Sequence, residues 1–351
     1  MQYDLLNLLK CPLSKTALIF KSISESKRVY EDKEVNEINE GLLFSDTGFV
    51  FPIIKGIPRM LLESIYDYSD FLQKYLEDYN DTKIKLEQTF PSLLSYCSKK
   101  NEKTKKSFEF EWSFLSSEKK DKIWHDDITK LTTVFIDEVG KELSYFQDKI
   151  IIDIGSGHGV MTTQIAKVSE LAIGVELSNA VENAYLRSTY SRAFFIQGDL
   201  QFLPFNSSTF DVLYSSGVIH HTNNTELSLS SIEKVLKNNG RICLWLYHPQ
   251  KNIIHNCMLF FRKITSRLPL KMTFFLLTIF LFPVTFLIKK MKNKNAPNYR
   301  EEIIDLLDFF TPEFRFETSH DIAMVWLQER EYKNIKITTS NQFGFSISGG
   351  K

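Results

Sequence analysis

The stretch from Lys149 to Gly159 reads KIIIDIGSGHG and decides the fold of this chain. A run of isoleucines is typical of a buried strand, and three glycines spaced two residues apart follow it. Glycine permits a tight turn and lets a ligand approach the backbone closely. The residues after Gly159 have helical spacing, and the first N–H groups of a helix favour an anionic group. The segment therefore predicts a ligand-binding loop between a strand and a helix.

Strand patterns and helix patterns alternate from residue 149 to about residue 248. Such alternation predicts a parallel sheet with helices on both faces. A final helix and two strands are expected in the last thirty or so residues of the chain. The strand candidates are 149–154, 172–177, 193–197, 212–215, 241–247, 335–339 and 343–347, and the helix candidates are 160–168, 180–189, 227–237 and 321–331.

The residues around the glycine loop indicate which ligand it binds. The dinucleotide fingerprint has glycine or alanine where this chain has Val160, so a pyrophosphate ligand is disfavoured. Glu176 ends the second predicted strand and Asp199 follows the third. Carboxylates at the ends of neighbouring parallel strands can accept hydrogen bonds from a ligand held at that edge of the sheet.

The order of these motifs resembles that of the class I S-adenosylmethionine (SAM) methyltransferases of type 11. The motifs are DIGSGHG (153–159), GVELS (174–178), GDL (198–200), FDVLYSSGVIHHT (210–222) and VLKNNGRICLWLYHP (235–249). The resemblance implies a Rossmann-like α/β fold with a seven-stranded sheet, SAM as the cofactor and methyl transfer as the reaction. It implies that the cofactor is bound by Asp153, Gly155, Ser156, Gly157, Gly159, Glu176, Leu177, Asp199 and Leu200.

Two adjacent histidines, His220 and His221, follow the fourth predicted strand at the ligand edge of the sheet. Because an imidazole titrates near neutral pH, either is a candidate catalytic base for an acceptor that must lose a proton. The alternative is a pair that only packs or forms hydrogen bonds. Tyr247 and His248 are candidates for lining the acceptor pocket. His158 is expected to face away from the ligand or to cap a helix, and not to be catalytic.

The first 62 residues are expected to form a small β-rich domain. LLKCPLSKTAL (8–18) and FPIIKGIPRML (51–61) resemble the zinc-ribbon-like domain that precedes many bacterial methyltransferase cores. That family holds zinc on two cysteine pairs, of which Cys11 remains here, while Ser14 stands in the second position. Because one thiol does not complete a tetrahedral zinc site, we expect a ribbon-like fold without metal.

Residues 63–148 are expected to be mostly helical and to lead into the methyltransferase domain, residues 149–351. The lysine-rich stretch 98–106 is expected to be a solvated loop or a helix end. FEFEW (108–112) resembles an aromatic motif found between the two domains in this family. It implies that Phe110 and Trp112 cover the cofactor or shape the acceptor site, unless they are ordinary core residues.

An apolar helical insert at about 250–310 separates the fifth strand from the last helix. Residues 272–288 carry no charge, and lysines stand on both sides of them. Three interpretations stay open for this segment. It is a lid packed on the core, or residues 268–292 contact a membrane interface, or it spans a membrane, which takes about 20 apolar residues.

The composition limits the partners. The 43 Lys and Arg residues balance 43 Asp and Glu residues, which argues against nucleic acid as the acceptor. Cys11, Cys97, Cys243 and Cys257 form no CxxC pair, so no disulfide framework or metal site is expected. The first residues lack the pattern of a signal peptide. We therefore expect a cytoplasmic protein, associated with a membrane if the insert meets one.

The sequence thus predicts a SAM-dependent methyltransferase for a small-molecule acceptor. The apolar insert favours an acceptor linked to a lipid or a sugar. The alternative is a SAM-binding partner subunit without catalysis. Neither the acceptor atom nor the oligomeric state follows from the residues.

Overall fold

The computed structural model describes residues 1–113, 130–292 and 299–351. The chain begins with helix α1 (Tyr3–Leu8) and a four-stranded antiparallel sheet. The strands of this sheet are β1 (Ile19–Val29), β2 (Glu34–Phe44), β3 (Val50–Ile54) and β4 (Ile57–Pro58).

Helices fill most of the described chain between the two sheets. They are α2 (Ser64–Asp67), α3 (Ser69–Tyr75), α4 (Tyr79–Thr89), α5 (Pro91–Ser113) and α6 (Leu131–Val139). Pro91 opens α5 because a proline in the first helical position loses no intrahelical hydrogen bond.

The expectation of a loop or helix end at residues 98–106 is wrong, since this stretch is the middle of α5. Its lysines do not all face water. Lys105 Nζ lies 3.1 Å from Glu63 Oε1 and 2.5 Å from Asp67 Oδ2, and Lys100 contacts Asp199. Carboxylates that are distant in sequence therefore neutralise the polar side of the helix.

A seven-stranded mixed sheet forms the centre of the molecule. Its strands are β5 (Ile150–Ile154), β6 (Leu171–Glu176), β7 (Ala193–Gln197), β8 (Phe210–Ser216), β9 (Leu236–Tyr247), β10 (Lys333–Ser340) and β11 (Gly344–Gly350). They lie in the order β10-β11-β9-β8-β5-β6-β7, and β11 runs antiparallel to both of its neighbours. The helices that alternate with the parallel strands are α7 (Val160–Val168), α8 (Ala180–Arg187) and α9 (Thr225–Ile232).

This strand order confirms the predicted Rossmann-like sheet. β5 pairs in parallel with both β6 and β8, so the chain reverses its direction of progress through the sheet between them. Open α/β sheets bind ligands beside the carboxyl ends of the strands at such a reversal. The glycine loop leaves β5 at this point.

The described part of the insert is mostly helical. Its helical segments are α10 (Ile253–Thr265), α11 (Leu270–Leu276), a π-helical turn (Leu277–Leu281), α12 (Phe282–Lys292) and α13 (Tyr299–Phe310), and α14 (His320–Glu329) follows. α13 contacts both α5 and α12, and Leu277 and Phe310 are buried in the cluster between them. The insert therefore packs on α5 through α13.

The two sheets share one apolar core. Leu42 and Phe51 of the first sheet belong to the same buried cluster as Ile154 and Ile196 of the second. Arg59, which is fully buried, forms a bridge beside Gln197 at the free edge of β7. The small sheet thus covers an edge that would otherwise expose unpaired backbone groups.

Candidate functional site

A cavity of about 1460 Å³ lies at the carboxyl ends of β5, β6, β8 and β9. Residues of α5 line one side of it, and residues of α10, α12 and α13 line another. The cavity therefore extends from the glycine loop to the apolar insert.

The glycine loop has a backbone that only glycine adopts easily. Gly155, Gly157 and Gly159 have φ values of 75°, 53° and 75°, in the left-handed region. A Cβ atom on Gly155 would lie 2.3 Å from Val218 Cγ2, and one on Gly159 would lie 2.5 Å from Ala184 Cβ. All three positions therefore require glycine, for backbone conformation and for space.

Most of the expected cofactor residues line this cavity. Gly157 and Gly159 lie behind the cavity wall, where the backbone N–H of Gly157 donates to Glu176 Oε2 over 3.0 Å. The buried hydroxyl of Ser156 has no hydrogen-bond partner among the described residues. The lining residues are Asp153, Gly155, Ser156, Glu176, Leu177, Asp199 and Leu200.

Glu176 is held in place by hydrogen bonds from Gly157 of the glycine loop and from Ser178, two residues further along the chain. Its Oε1 accepts hydrogen bonds from the backbone N–H and the hydroxyl of Ser178, at 2.8 and 2.7 Å. Burial raises the pKa of Glu176, although these bonds and the one from Gly157 act in the opposite direction. The carboxyl group is thus fixed in position at the end of β6.

Two further carboxyl groups of the cavity titrate near neutral pH. Burial raises the pKa of Asp153 to about 7, against a hydrogen bond of 2.5 Å from the Thr162 hydroxyl. Burial also raises the pKa of Glu138 to about 7, against a hydrogen bond of 2.5 Å from the Tyr214 hydroxyl. Glu138 belongs to α6 and was not predicted as a site residue.

Asp199 forms hydrogen bonds with α5. Lys100 Nζ lies 2.5 Å and Asn101 Nδ2 lies 3.2 Å from its Oδ2, while Oδ1 accepts from the backbone of Gln201 over 2.9 Å. Sequence reasoning missed Lys100 and Asn101 because it placed them in a solvated loop.

Two aromatic residues of the FEFEW motif in α5 lie in different places: Trp112 lines the cavity, and Phe110 packs on the insert. Trp112 and His158 both line the cavity, with their rings stacked at 4.7 Å. The expectation that His158 faces away is therefore wrong. Burial lowers its pKa to about 3, with a smaller effect from Arg187, so the ring is neutral. Phe110 instead packs against Phe274 of α11.

His221 also lines the cavity. Its Nδ1 lies 2.9 Å from the carbonyl oxygen of Phe314, which assigns the ring proton to Nδ1. Its Nε2 lies 3.5 Å from Asp308 Oδ1. The Tyr247 hydroxyl donates to the other oxygen of Asp308. Burial would raise the pKa of Asp308, but His221, Tyr247 and Arg315 together lower it.

His220 has a different environment. It is fully buried, its ring lies 4.3 Å from that of Tyr247, and neither ring nitrogen has a described hydrogen-bond partner. Burial lowers its pKa well below 6.5, and His221 and Arg315 act in the same direction. His220 therefore supports the cavity wall, whereas Tyr247 lines the cavity. His248 bonds to the backbone of Asn341 over 3.0 Å.

Glu111 is a cavity residue that the sequence did not indicate as a functional residue. Its side chain is fully buried, and neither carboxyl oxygen has a hydrogen-bond partner among the described residues. Burial raises its pKa well above 4.5, and the charges of Asp308, Asp305 and Glu176 raise it further. A buried carboxyl group whose oxygens are available to a ligand therefore lines the cavity.

The lining holds many carboxyl groups, and those that are ionised fit SAM, which carries a sulfonium and an ammonium group. Ser156 and Glu111 also leave polar atoms for a ligand. The only basic lining residues in the described part of the chain are Lys100, Lys289 and Arg315. The acidic ones are Glu111, Asp137, Glu138, Asp153, Glu176, Asp199, Glu302, Asp305 and Asp308.

The core of the chain is similar to curated methyltransferases. One relative, a tRNA U34 carboxymethyltransferase of Ruthia magnifica, is 31% identical over 104 residues, covering 28% of this chain and 32% of the relative. The O-methyltransferase rstn1 of Aspergillus nomiae is 27% identical over 125 residues, covering 34% and 56%. The chain thus matches between a third and somewhat over half of the length of these relatives.

Solved structures align over more of the chain at lower identity. A magnesium protoporphyrin IX methyltransferase from Synechocystis, solved with S-adenosylhomocysteine (SAH), is 13% identical, with a TM-score of 0.42 over 72% of this chain and 97% of that one. A toxoflavin-precursor N1-methyltransferase from Burkholderia thailandensis is 12% identical, with a TM-score of 0.43 over 73% and 89%.

A family model described as a methyltransferase domain matches residues 152–244. This match covers β5 to β9 and includes the glycine loop, Glu176, Asp199 and the two adjacent histidines. Residues 152–244 of this chain are therefore similar to a methyltransferase domain.

Proposed function

We propose that this protein transfers the methyl group of SAM to a nucleophilic atom of a small-molecule acceptor. One observation carries the proposal: most of the expected cofactor residues and His221 line the same cavity. Methyl transfer needs little more from a protein than such an arrangement, because proximity and alignment lower most of its barrier.

The cofactor end of the cavity consists of the glycine loop, Glu176 and Asp199. When bound, SAM supplies a methyl group already activated by its sulfonium charge. Glu176 is positioned to accept hydrogen bonds from ribose hydroxyls, and Asp199 to accept one from an adenine amino group. The Lys100–Asp199 contact orients that carboxylate and excludes water from it.

The acceptor end of the cavity holds a base and a carboxylate. With its proton on Nδ1, His221 presents a lone pair on Nε2. Nε2 would take a proton from the acceptor hydroxyl or amine as the acceptor atom bonds to the methyl carbon and the carbon–sulfur bond breaks, with SAH as the leaving group. Asp308, at 3.5 Å, then stabilises the resulting imidazolium. Glu111 binds a polar group of the acceptor through its unpaired oxygens.

The first experiment is calorimetric titration of the purified protein with SAM. We expect micromolar binding that is lost in Glu176→Ala and weakened in Ser156→Ala. Leu186→Ala, at an exposed position on the outer side of α8, is the control and should bind as the parent does. A folded parent that binds neither SAM nor SAH would refute the proposal.

A second assay separates catalysis from binding alone. Protein with radioactive SAM is incubated with fractionated cell extracts, and formation of SAH is followed. A catalyst releases SAH only with the fraction that contains its acceptor. A non-catalytic SAM-binding subunit, the alternative function, binds the cofactor and releases no SAH with any fraction.

We also propose that residues 1–62 are a ribbon-like domain in which hydrogen bonds replace a metal. The Sγ of Cys11 accepts from the backbone of Ser14 over 3.5 Å and lies 3.7 Å from Thr47 Oγ1. The hydroxyls of Ser14 and Thr16 each donate to Asp46 Oδ1 over 2.7 Å. Elemental analysis should find far less than one zinc per chain, and stoichiometric zinc would contradict this assignment.

A further inference from the structure

Helices α10, α11 and α12 carry apolar residues on the side that faces solvent. These residues recur every three or four positions, so each helix exposes one apolar stripe. We call the set the outer apolar face. It consists of Ile253, Ile254, Phe260, Phe261, Ile264, Met272, Phe275, Ile279, Phe280, Val284, Leu287, Ile288 and Met291, all of them exposed.

The inner side of the same helices holds buried polar groups beside the apolar cluster that contains Leu277. Buried His255 lies 2.7 Å from Glu317, and buried Arg262 donates to the carbonyl oxygen of Pro312 over 2.7 Å. Lys289 lies 2.6 Å from Glu302. A surface helix of a soluble protein directs its apolar residues toward the core, so packing on the core does not account for a second apolar set that faces solvent. An apolar surface of this size indicates an interaction site.

The segment that carries the face has a charge of one sign. Between Glu233 and Glu301 the sequence contains thirteen lysines and arginines and no acidic residue. Lys263, Arg267, Lys271 and Lys290 are exposed on these helices. None of them is paired with a carboxylate in the part of the chain that the structure describes. Apolar side chains bordered by unpaired bases match a surface that is apolar inside and negatively charged outside.

We propose that the outer apolar face lies on the surface of an anionic lipid bilayer and that the acceptor is an amphiphile which enters the cavity from that bilayer. The second half rests on the proposed methyl transfer, whereas the first half does not. Amphipathic helices with basic and aromatic residues bind in this in-plane manner, with their apolar side in the headgroup region.

Two other occupants fit the observations less well. A second copy of the chain would bring two sets of unpaired bases together, at an electrostatic cost. A spanning arrangement is suggested by Leu270–Met291, which has the length and the mean hydropathy, 2.0, of a membrane helix. It would, however, remove α12 from α13 and break the contacts of Lys289 with Glu302 and Asp305.

The cavity extends to the helices that form the outer apolar face. Ile254 and Ile288 belong to the outer apolar face and also line the cavity. Met258 and Thr285, which are not part of the face, line the cavity beside them. An apolar chain held in the bilayer can therefore extend along these residues while its polar head reaches His221. This continuity is why we infer an amphiphilic acceptor.

The docking experiment is co-sedimentation of the whole protein, without SAM, with vesicles. We expect binding to vesicles of phosphatidylcholine with 30% phosphatidylglycerol, weak binding to phosphatidylcholine alone, and a decrease as salt is raised. Phe260→Ser and Phe280→Ser should each weaken binding on the order of tenfold. Lys263→Gln combined with Lys271→Gln should weaken it roughly 25-fold.

Leu186→Ser is the matched control, because Leu186 is as exposed as the residues of the face and lies on α8. It should bind vesicles as the parent does. The docking proposal is overturned if the parent ignores anionic vesicles at low salt, or if the control loses binding as the face variants do. Resistance to alkaline carbonate extraction would overturn it in favour of a spanning helix. A stable dimer that hides the face, or preferential binding of RNA, would also overturn it.

The acceptor half is tested by where the methyl group goes. Protein with radioactive SAM is given a cell extract divided into an organic-soluble and a water-soluble fraction. We expect label in the organic-soluble product, and less of it for Phe260→Ser at equal SAM affinity. Label confined to water-soluble products would overturn the amphiphile while leaving methyl transfer intact. Loss of SAM binding in the parent would instead count against the proposed function.

Discussion

Asp308 lies between the Tyr247 hydroxyl and the ring of His221. It holds the Tyr247 hydroxyl on one oxygen, and its other oxygen lies 3.5 Å from His221 Nε2. The same carboxylate can therefore hold Tyr247 in place in the cavity wall and stabilise a protonated His221 ring. Because Asp308 comes from α13 and His221 from the end of β8, only the packed insert completes this pair.

His221→Asn should lower kcat by a factor of about 10² to 10⁴ while SAM affinity stays within a few-fold. His220→Leu should lower stability and leave the kcat of the folded fraction within a few-fold, because His220 lies behind the cavity wall. The two variants are compared by SAH formation with the identified acceptor. Equal losses in both would contradict the assignment of His221 as the base.

Asp153→Asn should change how stability depends on pH. In the folded protein burial raises the pKa of Asp153 to about 7, whereas an aspartate of the unfolded chain has a pKa near 3.8. Between these values the folded state binds a proton that the unfolded state lacks, so the free energy of unfolding falls as pH rises. One such group contributes up to about 1.4 kcal/mol per pH unit.

The Asp153→Asn variant has no ionisable group at this position, so it loses this part of the pH dependence of stability. Its side-chain oxygen still accepts the hydrogen bond from Thr162. The stability of Asp153→Asn relative to the parent should therefore increase from pH 4.5 to 7. Urea unfolding without SAM at four pH values measures the difference. Parallel curves for parent and variant would show that Asp153 is ionised across this range.

Helix α5 connects the insert, the cofactor end and the first part of the chain. Lys105 is mostly buried and bridges Glu63 and Asp67. Lys105→Met should lower the free energy of unfolding by about 3 kcal/mol, because it leaves the buried carboxylate of Glu63 without its cation. Lys106→Met is the matched control and should cost less than about 0.5 kcal/mol, since its partner Glu102 is exposed. Similar losses in both variants would mean that α5 is not anchored at Lys105.

The same helix shows which features follow from the sequence and which do not. β5 to β9 were predicted because each is a short apolar run bounded by turn residues, a local signal. α5 was missed in part because its lysines are neutralised by Glu63, Asp67 and Asp199, and no local pattern contains that information. Glu111 and Asp308 were missed for the same reason, since only tertiary packing brings them to His221.

The whole molecule should unfold as one unit. The first sheet shares a buried cluster with the second, and Arg59 connects their edges. In native-state hydrogen exchange, the slowest amides of β2 and β3 should therefore open with the same free energy as those of β5 and β8. A first sheet that opens at much lower cost would indicate a separately folding domain.

The basic segment between Glu233 and Glu301 has a practical consequence for handling the protein. The chain has a net charge of zero and a calculated isoelectric point near 7.1, yet thirteen positive charges lie in one segment, so the rest of the chain carries the compensating negative excess. Net charge would suggest that neither type of ion exchanger retains such a protein at pH 7. If the charges are unevenly distributed, a cation exchanger can bind the basic segment and an anion exchanger can bind the acidic remainder. The salt concentration that elutes the protein from the cation exchanger would then report how much of the basic segment is exposed to solvent.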